Sequence, residues 1–212
     1  MPLILSGNVA SAIGGGYEVA NSCRFNDGDS ADMNRTFGTP TLATKYTISL
    51  WVKRSTITSR QIFFKTSGYM YFEFQADDKL HYIDQGTGGD LVTSRLFRDP
   101  SAWYHVCLRV DNTLGTADDR HKIYVNGTQE TSFDDRTNPT QNNSGYAFKA
   151  DTASYVGSNE SSNLYFDGYM AEFVGIDGLA LAPTSFGEFD EDSPTIWKPK
   201  DVSGLTFGTN GF

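Results

Sequence analysis

Tyr46-Thr47-Ile48-Ser49-Leu50-Trp51-Val52-Lys53 is the stretch on which the fold turns. Tyr46, Ile48, Leu50 and Val52 alternate with Thr47, Ser49, Trp51 and Lys53, and that period of two predicts a half-buried strand. Downstream, Met70, Phe72 and Phe74 alternate with Tyr69, Tyr71, Glu73 and Gln75. After Ala76-Asp77-Asp78 the run Lys79 to Asp84 alternates again, so the two runs read as a hairpin. Tyr104, Val106, Leu108 and Val110 interleave with His105, Cys107 and Arg109, in a strand that ends in the polar stretch Asp111 to Arg120. Lys122-Ile123-Tyr124-Val125 then runs into Asn126-Gly127, a pair that tolerates positive φ in a type I′ turn and so predicts a second hairpin.

The segment from Leu164 to Ile176 is apolar on both faces, with Phe166, Met170, Val174 and Ile176 on one side and Tyr165, Tyr169 and Phe173 on the other. That pattern predicts a central strand covered on both sides. Pro183 to Glu188 is the one helix-like stretch, with Ser185 and Glu188 in loose capping-box spacing, and one short turn is expected there. The stretches Asn26 to Asn34, Asp84 to Asp90, Asp111 to Arg120 and Asp134 to Gly145 read as polar loops.

The chain has 212 residues, of which 38% are hydrophobic and 14% aromatic, enough for a substantial core without a linker between domains. Its 21 glycines are spread along the length, as frequent turns between short strands require. A formal net charge of -9 disfavours nucleic acid, whose binding needs clustered Lys and Arg. No apolar run approaches the roughly 20 residues that span a bilayer, so no membrane partner is expected. Met1-Pro2-Leu3-Ile4-Leu5-Ser6 carries no basic leader and too short an apolar stretch for a signal peptide, which predicts synthesis in the cytosol. Cys23 and Cys107 both sit in apolar segments and are expected to be small buried thiols rather than a disulfide.

Four segments in this order resemble the concanavalin A-like and laminin G-like jelly roll: Tyr46 to Lys53, Trp103-Tyr104-His105-Val106, Ile123-Tyr124-Val125-Asn126-Gly127, and Tyr165 to Phe173. The resemblance implies an all-β, antiparallel jelly-roll β-sandwich. The expected organisation is one laminin G-like domain over 1–212, with a core of about 17–181, an N-terminal arm 1–16 and a C-terminal extension 182–212. The ends, Leu3-Ile4-Leu5-Ser6-Gly7, Arg35-Thr36-Phe37-Gly38, Phe186 to Asp192 and Gly208-Thr209-Asn210-Gly211-Phe212, resemble laminin G-like proteins of marine bacteriophages, regarded as virion or tail-fibre components. In such proteins the Gly208 to Phe212 phrase is followed by further strand residues, which implies one module of a longer chain.

Several chemistries can be weighed on the residues. Glucanases of the superfamily place carboxylates in a Glu-x-Asp-x-x-Glu pattern. Glu188-Phe189-Asp190 begins it, but Ser193 stands at the second glutamate and Pro194 follows. His81, His105 and His121 lie in or beside strands without a nucleophile elbow, and His105 with Cys107 on one strand face reads as packing. No catalytic residue is assigned, and no enzyme is expected. Calcium at a sandwich rim would draw on Asp27, Asp29 and Asp32, or on Asp111, Asn112, Asp118 and Asp119, though neither loop has EF-hand spacing; no cofactor is otherwise implied. For sugar stacking, Trp51, Tyr69, Tyr71, Tyr82 and Tyr155 are the candidate rings. Asn34, Asn126, Asn142 and Asn159 fall in glycosylation sequons, of which Asn126 is explained by its turn.

The function implied by the resemblance is a phage virion structural protein, a capsid decoration or tail appendage, located in the virion and forming a homo-oligomer among other virion proteins. Host-surface polysaccharide is the expected external partner. Met1 to Gly16 and Phe189 to Phe212 would be its docking arms. The alternative is a free lectin-like module that binds carbohydrate at a calcium-dependent rim.

Overall fold

The computed structural model describes residues 17–67, 70–160 and 162–212. Two antiparallel sheets face each other across one apolar layer. The six-stranded sheet has the order β1 (Cys23–Phe25), β15 (Gly168–Asp177), β3 (Lys45–Arg54), β8 (Tyr104–Asp111), β9 (His121–Val125) and β10 (Thr128–Gln129). The seven-stranded sheet has the order β11 (Phe133–Thr137), β7 (Gly89–Leu96), β6 (Lys79–Asp84), β5 (Met70–Phe74), β4 (Gln61–Thr66), β12 (Ala153–Val156) and β2 (Met33–Thr36). Two small hairpins complete it: β13 (Ser158–Asn159) with β14 (Ser162–Tyr165), and β16 (Gly187–Phe189) with β17 (Trp197–Pro199). This is the all-β jelly-roll sandwich that the resemblance implies.

The core is built from the apolar set of each alternation. Tyr46, Ile48, Leu50 and Val52 of β3 join Val106, Leu108 and Val110 of β8, and they meet Phe72 and Phe74 of β5, Leu80 and Tyr82 of β6 and Leu91 of β7. Each such side chain, fully buried, contributes on the order of 1.5–3 kcal/mol from removal of its surface from water. In β4 the register shifts between Ile62 and Phe64, so that Phe63 and Phe64 both reach the core. The β5–β6 hairpin forms as predicted, with Phe72 opposite Tyr82. The β9–β10 turn does too, with Asn126 at φ 48 and Gly127 at φ 76.

Several expectations change. The strand over Tyr46 to Lys53 is not half-buried: Thr47 and Ser49 are buried as fully as the apolar set. Residues beyond Asp177 fold back over the outer face of the six-stranded sheet, and Leu181, Phe186, Val202, Leu205 and Phe207 pack there with Cys107, Val174 and Ile176. Thr47 joins that layer by donating its hydroxyl to the carbonyl of Leu179 and accepting from the amide of Leu181.

The predicted strand Leu164 to Ile176 is two, β14 and β15, broken at Phe166-Asp167. Within β15 a bulge between Ala171 and Val174, with Glu172 at φ 47, reverses the alternation. Met170 therefore faces the main core, while Val174 and Ile176 face the outer cluster. The four residues predicted on one side are split between two.

Phe189 to Phe212 is not a free docking arm. The backbones of Gly175 and Phe212 exchange hydrogen bonds of 2.9 and 3.0 Å. The amides of Thr41 and Asn210 both donate to Asp177 Oδ2, and Asn210 Nδ2 donates to the carbonyl of Gly38. Gly208 sits at φ 79, where a Cβ would collide with the carbonyl of Asp177, so the Gly208 to Phe212 phrase is explained by this seam. The expected arm Met1 to Gly16 lies outside the described residues.

Cys23 is exposed on the short edge strand β1, where only Phe25 turns inward, while Cys107 is buried as expected; both thiols are free. Several of the expected loops carry structure, among them Asn26 to Asn34, with a 3-10 turn at Asp27–Asp29 and the start of β2 at Met33. β11 takes up Asp134 to Thr137 as a charged edge strand, and Ala117–Arg120 forms a helical turn within the polar stretch after β8. At Pro183–Ser185 the expected short turn is present as 3-10 helix.

Candidate functional site

On the outer face of β3 the returning C-terminal segment covers Thr47 and Ser49, and Trp51 comes next on the same face. In register Trp51 stands between Ala171 of β15 and His105 of β8. His105 fixes the boundary of the covered region. Trp197 of β17 donates its indole Nε1–H to His105 Nδ1 at 3.0 Å, and His105 Nε2 lies 2.8 Å from Ser49 Oγ. An indole can only donate, so His105 Nδ1 is the acceptor and the ring proton sits on Nε2, directed at Ser49. Burial pushes the His105 pKa down to about 4, which keeps the ring neutral. A serine beside this histidine cannot pass its proton to it, because the nitrogen it meets already carries one.

Beyond that boundary lies a cleft of about 350 Å³. Its floor and walls are Trp51 and Ala171 from the sheet, Trp103 from the approach to β8, Pro199 from β17, and residues 19–22 leading into β1. Trp51 and Trp103 are half-buried. Trp51 packs 5.2 Å from the His105 ring, and Trp103 lies 6.4 Å from Tyr169, over which the Arg24 guanidinium sits at 5.3 Å. Trp51 Nε1 is buried with no hydrogen-bond partner among the described residues. Two indoles in a concave site, with Asn21 and Ser22 beside them, present flat apolar faces together with side-chain donors and acceptors.

The other candidate rings fare differently. Tyr82 is fully buried, and its hydroxyl lies 2.6 Å from Tyr46 Oη, which donates to Asp84 Oδ2 at 2.8 Å. Tyr71 has Arg60 at 5.0 Å and Lys65 at 5.6 Å from its ring centre, so its π-surface is taken by cations. Tyr155 is half-buried and stands opposite Lys65 in register. Tyr69 lies outside the described residues. Of the four described rings, only Trp51 lines the cleft. Its companion Trp103 sits just ahead of a strand, a position that alternation does not reach.

On the outer face of the seven-stranded sheet the charges close on themselves. His81 Nδ1 lies 2.9 Å from Glu73 Oε1 and its Nε2 lies 3.1 Å from Asp90 Oδ1, while Arg60 Nε donates to Glu73 Oε2 at 2.6 Å. Burial opposes charge on His81, but the hydrogen bonds to Asp90 and Glu73 outweigh it and raise its pKa to about 9. The ring is an imidazolium that holds two carboxylates. His121 is the reverse: burial, with the nearby Arg136 and Arg120, lowers its pKa to about 3.

Apart from Asp27, the carboxylates considered for metal or catalysis have protein partners. Asp29 accepts from Asn26 Nδ2 and Asp32 from Ser158 Oγ. Asp111 accepts from Thr113 and pairs with Lys45, Asp118 pairs with Arg136, and Asp119 with Lys122. Asn112 accepts from His121 Nε2 and donates to the carbonyl of Asn143. Asp27 stands in a 3-10 turn beside Asp29. Among the described residues no three His, Cys, Asp or Glu side chains gather as a metal site requires. Glu188 and Asp190 flank Lys198 at 3.8 and 3.3 Å on the β16–β17 hairpin, outside the cleft lining.

Residues 27–177 match the laminin G family model described as the concanavalin A-like lectin/glucanases superfamily. No curated protein matches the sequence. Among solved structures, a candidate carbohydrate-binding protein from Bacteroides ovatus is 16% identical with a TM-score of 0.59, over 79% of this chain and 46% of that one. Domain 4 of the extracellular GH43 arabinanase AbnA from Geobacillus stearothermophilus, in complex with arabinotriose, is 17% identical with a TM-score of 0.54, over 77% and 73%. Domains LG4-5 of the mouse laminin alpha1 chain are 13% identical with a TM-score of 0.51, over 89% and 47%. The chain thus spans about half the length of the first and third of these structures.

Proposed function

This chain belongs to the concanavalin A-like lectin/glucanase superfamily, and from that premise we propose that it is a non-catalytic carbohydrate-binding module that takes its glycan in the cleft between Trp51 and Trp103. The observation that carries the reading is the pair of half-buried indoles set in one concave site with Asn21 and Ser22. A sugar ring is apolar on its C–H faces and polar at its rim. It matches a cleft whose walls are flat aromatic surface and whose edges carry an amide and a hydroxyl. Arabinotriose bound to domain 4 of the arabinanase gives a natural first ligand.

The non-catalytic half of the reading is supported by what surrounds the cleft. Glycoside hydrolysis needs two carboxyl groups on either side of the scissile bond, and the lining holds neither Asp nor Glu. The nearby serine and histidine are locked in the wrong tautomer. Titration calorimetry against neutral and acidic oligosaccharides tests the proposal. Trp51→Ala and Trp103→Ala are each expected to weaken binding by about tenfold or more, the usual scale for a buried aromatic anchor. Unchanged affinity in both variants would sink the assignment of this cleft.

The terminal phrases that resemble phage proteins support a placement on a virion, as a capsid decoration or tail appendage beside other virion proteins. Such an appendage would present the same cleft to host-surface polysaccharide. Cryo-electron microscopy of purified particles decides this, and a particle without density for the chain rejects it.

A further inference from the structure

Resting on the glycan reading of the Trp51–Trp103 cleft, we infer that the site selects uncharged saccharides and rejects sugars that bear carboxylate or sulfate. The lining residues, 19–22 with Trp51, Trp103, Ala171 and Pro199, include no ionisable side chain. Two of the cations near them, Arg24 and Lys198, are engaged elsewhere. Arg24 Nη2 donates to Asp167 Oδ1 at 2.8 Å and Arg24 Nη1 to the carbonyl of Gly168, while its guanidinium lies over Tyr169. Lys198, next to Pro199, is held between Glu188 and Asp190. Glu172, next to Ala171, adds negative charge at this side and accepts from Tyr17 Oη at 2.9 Å.

An anionic sugar entering between two indoles gives up part of its hydration and meets no counter-charge in the lining, which is the costly way to bury an ion. A hydroxyl loses far less, because Asn21 and Ser22 can replace water as its partners. The net charge of -9 acts in the same direction at longer range. Range separates the two contributions. Repulsion by the whole chain is screened once the Debye length falls to roughly 4 Å at about 0.5 M salt, whereas loss of hydration inside the cleft is not.

The test uses the full chain and titration calorimetry, with neutral trisaccharides (arabinotriose, cellotriose, laminaritriose) against the cellotriose and laminaritriose frameworks oxidised at C6 to uronates. The expected result is that a neutral trimer binds and its uronate binds at least about tenfold more weakly, with the gap retained at about 0.5 M salt. Asn21→Arg, which places a cation at the exposed edge of the lining, is expected to narrow or reverse that gap. Equal or tighter binding of the uronate overturns the inference while leaving the glycan reading intact. It would bring Lys53, two residues beyond Trp51 on the same face, into the site. A gap that vanishes in high salt also overturns it, since net charge rather than the lining would then be the cause. If neither set binds, the glycan reading fails and this inference with it.

Discussion

The two outer faces of the sandwich handle polar groups in opposite ways. On the seven-stranded sheet, Arg60, Glu73, His81 and Asp90 form a chain of contacts between 2.6 and 3.1 Å, and Lys65 pairs with Glu160 at 3.0 Å. On the six-stranded sheet the chain's own C-terminal segment covers part of the face with apolar side chains and stops at Trp197 and Pro199. Beyond that limit remain two half-buried indoles, one of whose N–H groups is buried with no partner among the described residues. A face whose charges satisfy one another has little left to offer a ligand. Unmatched aromatic surface in a cleft is what a ligand can complete.

That contrast can be broken most forcefully at its boundary. Trp197→Ala removes a buried side chain and the donor to His105, and should cost about 3–5 kcal/mol in chemical denaturation. It should also weaken glycan binding by loosening β17, which carries Pro199 into the cleft. On the other face, Glu73→Leu leaves His81 and Arg60 without their shared carboxylate and should cost about 3 kcal/mol, with glycan affinity unchanged. A loss of binding there would mean that the two faces are coupled.

The response to pH sharpens the same division. His81 has a raised pKa of about 9 in the folded chain, so its contribution to stability is complete below about 6.5 and is lost as pH rises through about 9. His105 has a depressed pKa of about 4, so its contribution is present above about 6.5 and is lost as pH falls toward 4. Denaturation midpoints should therefore decline at alkaline pH through the seven-stranded face, and His81→Gln should remove that limb. The acid limb should be reduced by His105→Gln. An alkaline limb that persists in His81→Gln, or an acid limb undiminished in His105→Gln, contradicts the assignment, the rest of the acid limb belonging to groups such as buried His121. The smallest effects are expected at Tyr71 and Cys23. Tyr71→Ala should leave glycan affinity within about twofold, because its ring is already taken by cations. Cys23→Ser should shift stability by no more than about 0.5 kcal/mol, as an exposed edge position allows.

Alternation identified β3, β5, β6 and β8 because each keeps its phase from end to end and because one face of each meets a continuous core. Asn126-Gly127 was legible for a local reason, since the turn needs two residues that accept positive φ. The phase change in β15 was not legible. A bulge at Ala171 to Val174 inserts a residue without any Gly or Pro to announce it, and the side assignments beyond it reverse. Cys23 was misread because a residue in an apolar stretch of an edge strand can still point to water. In the candidate site, Trp51 could be named as an aromatic on an alternating strand. Its partners Trp103, Pro199 and residues 19–22 come from segments far apart in the chain and carry no shared pattern.

The sequence by itself determined the strand-rich architecture, the core-facing set of the principal strands, the tight turn at Asn126-Gly127 and the acidic charge, because these depend on local periodicity, on turn chemistry and on composition. Only the tertiary structure decided which outer face meets the returning C-terminus, how His105 is protonated, and which of the described candidate rings stands in a cleft. Those outcomes are set by contacts between residues distant in the chain, and a two-residue period says which side chains share a face without saying what will cover it.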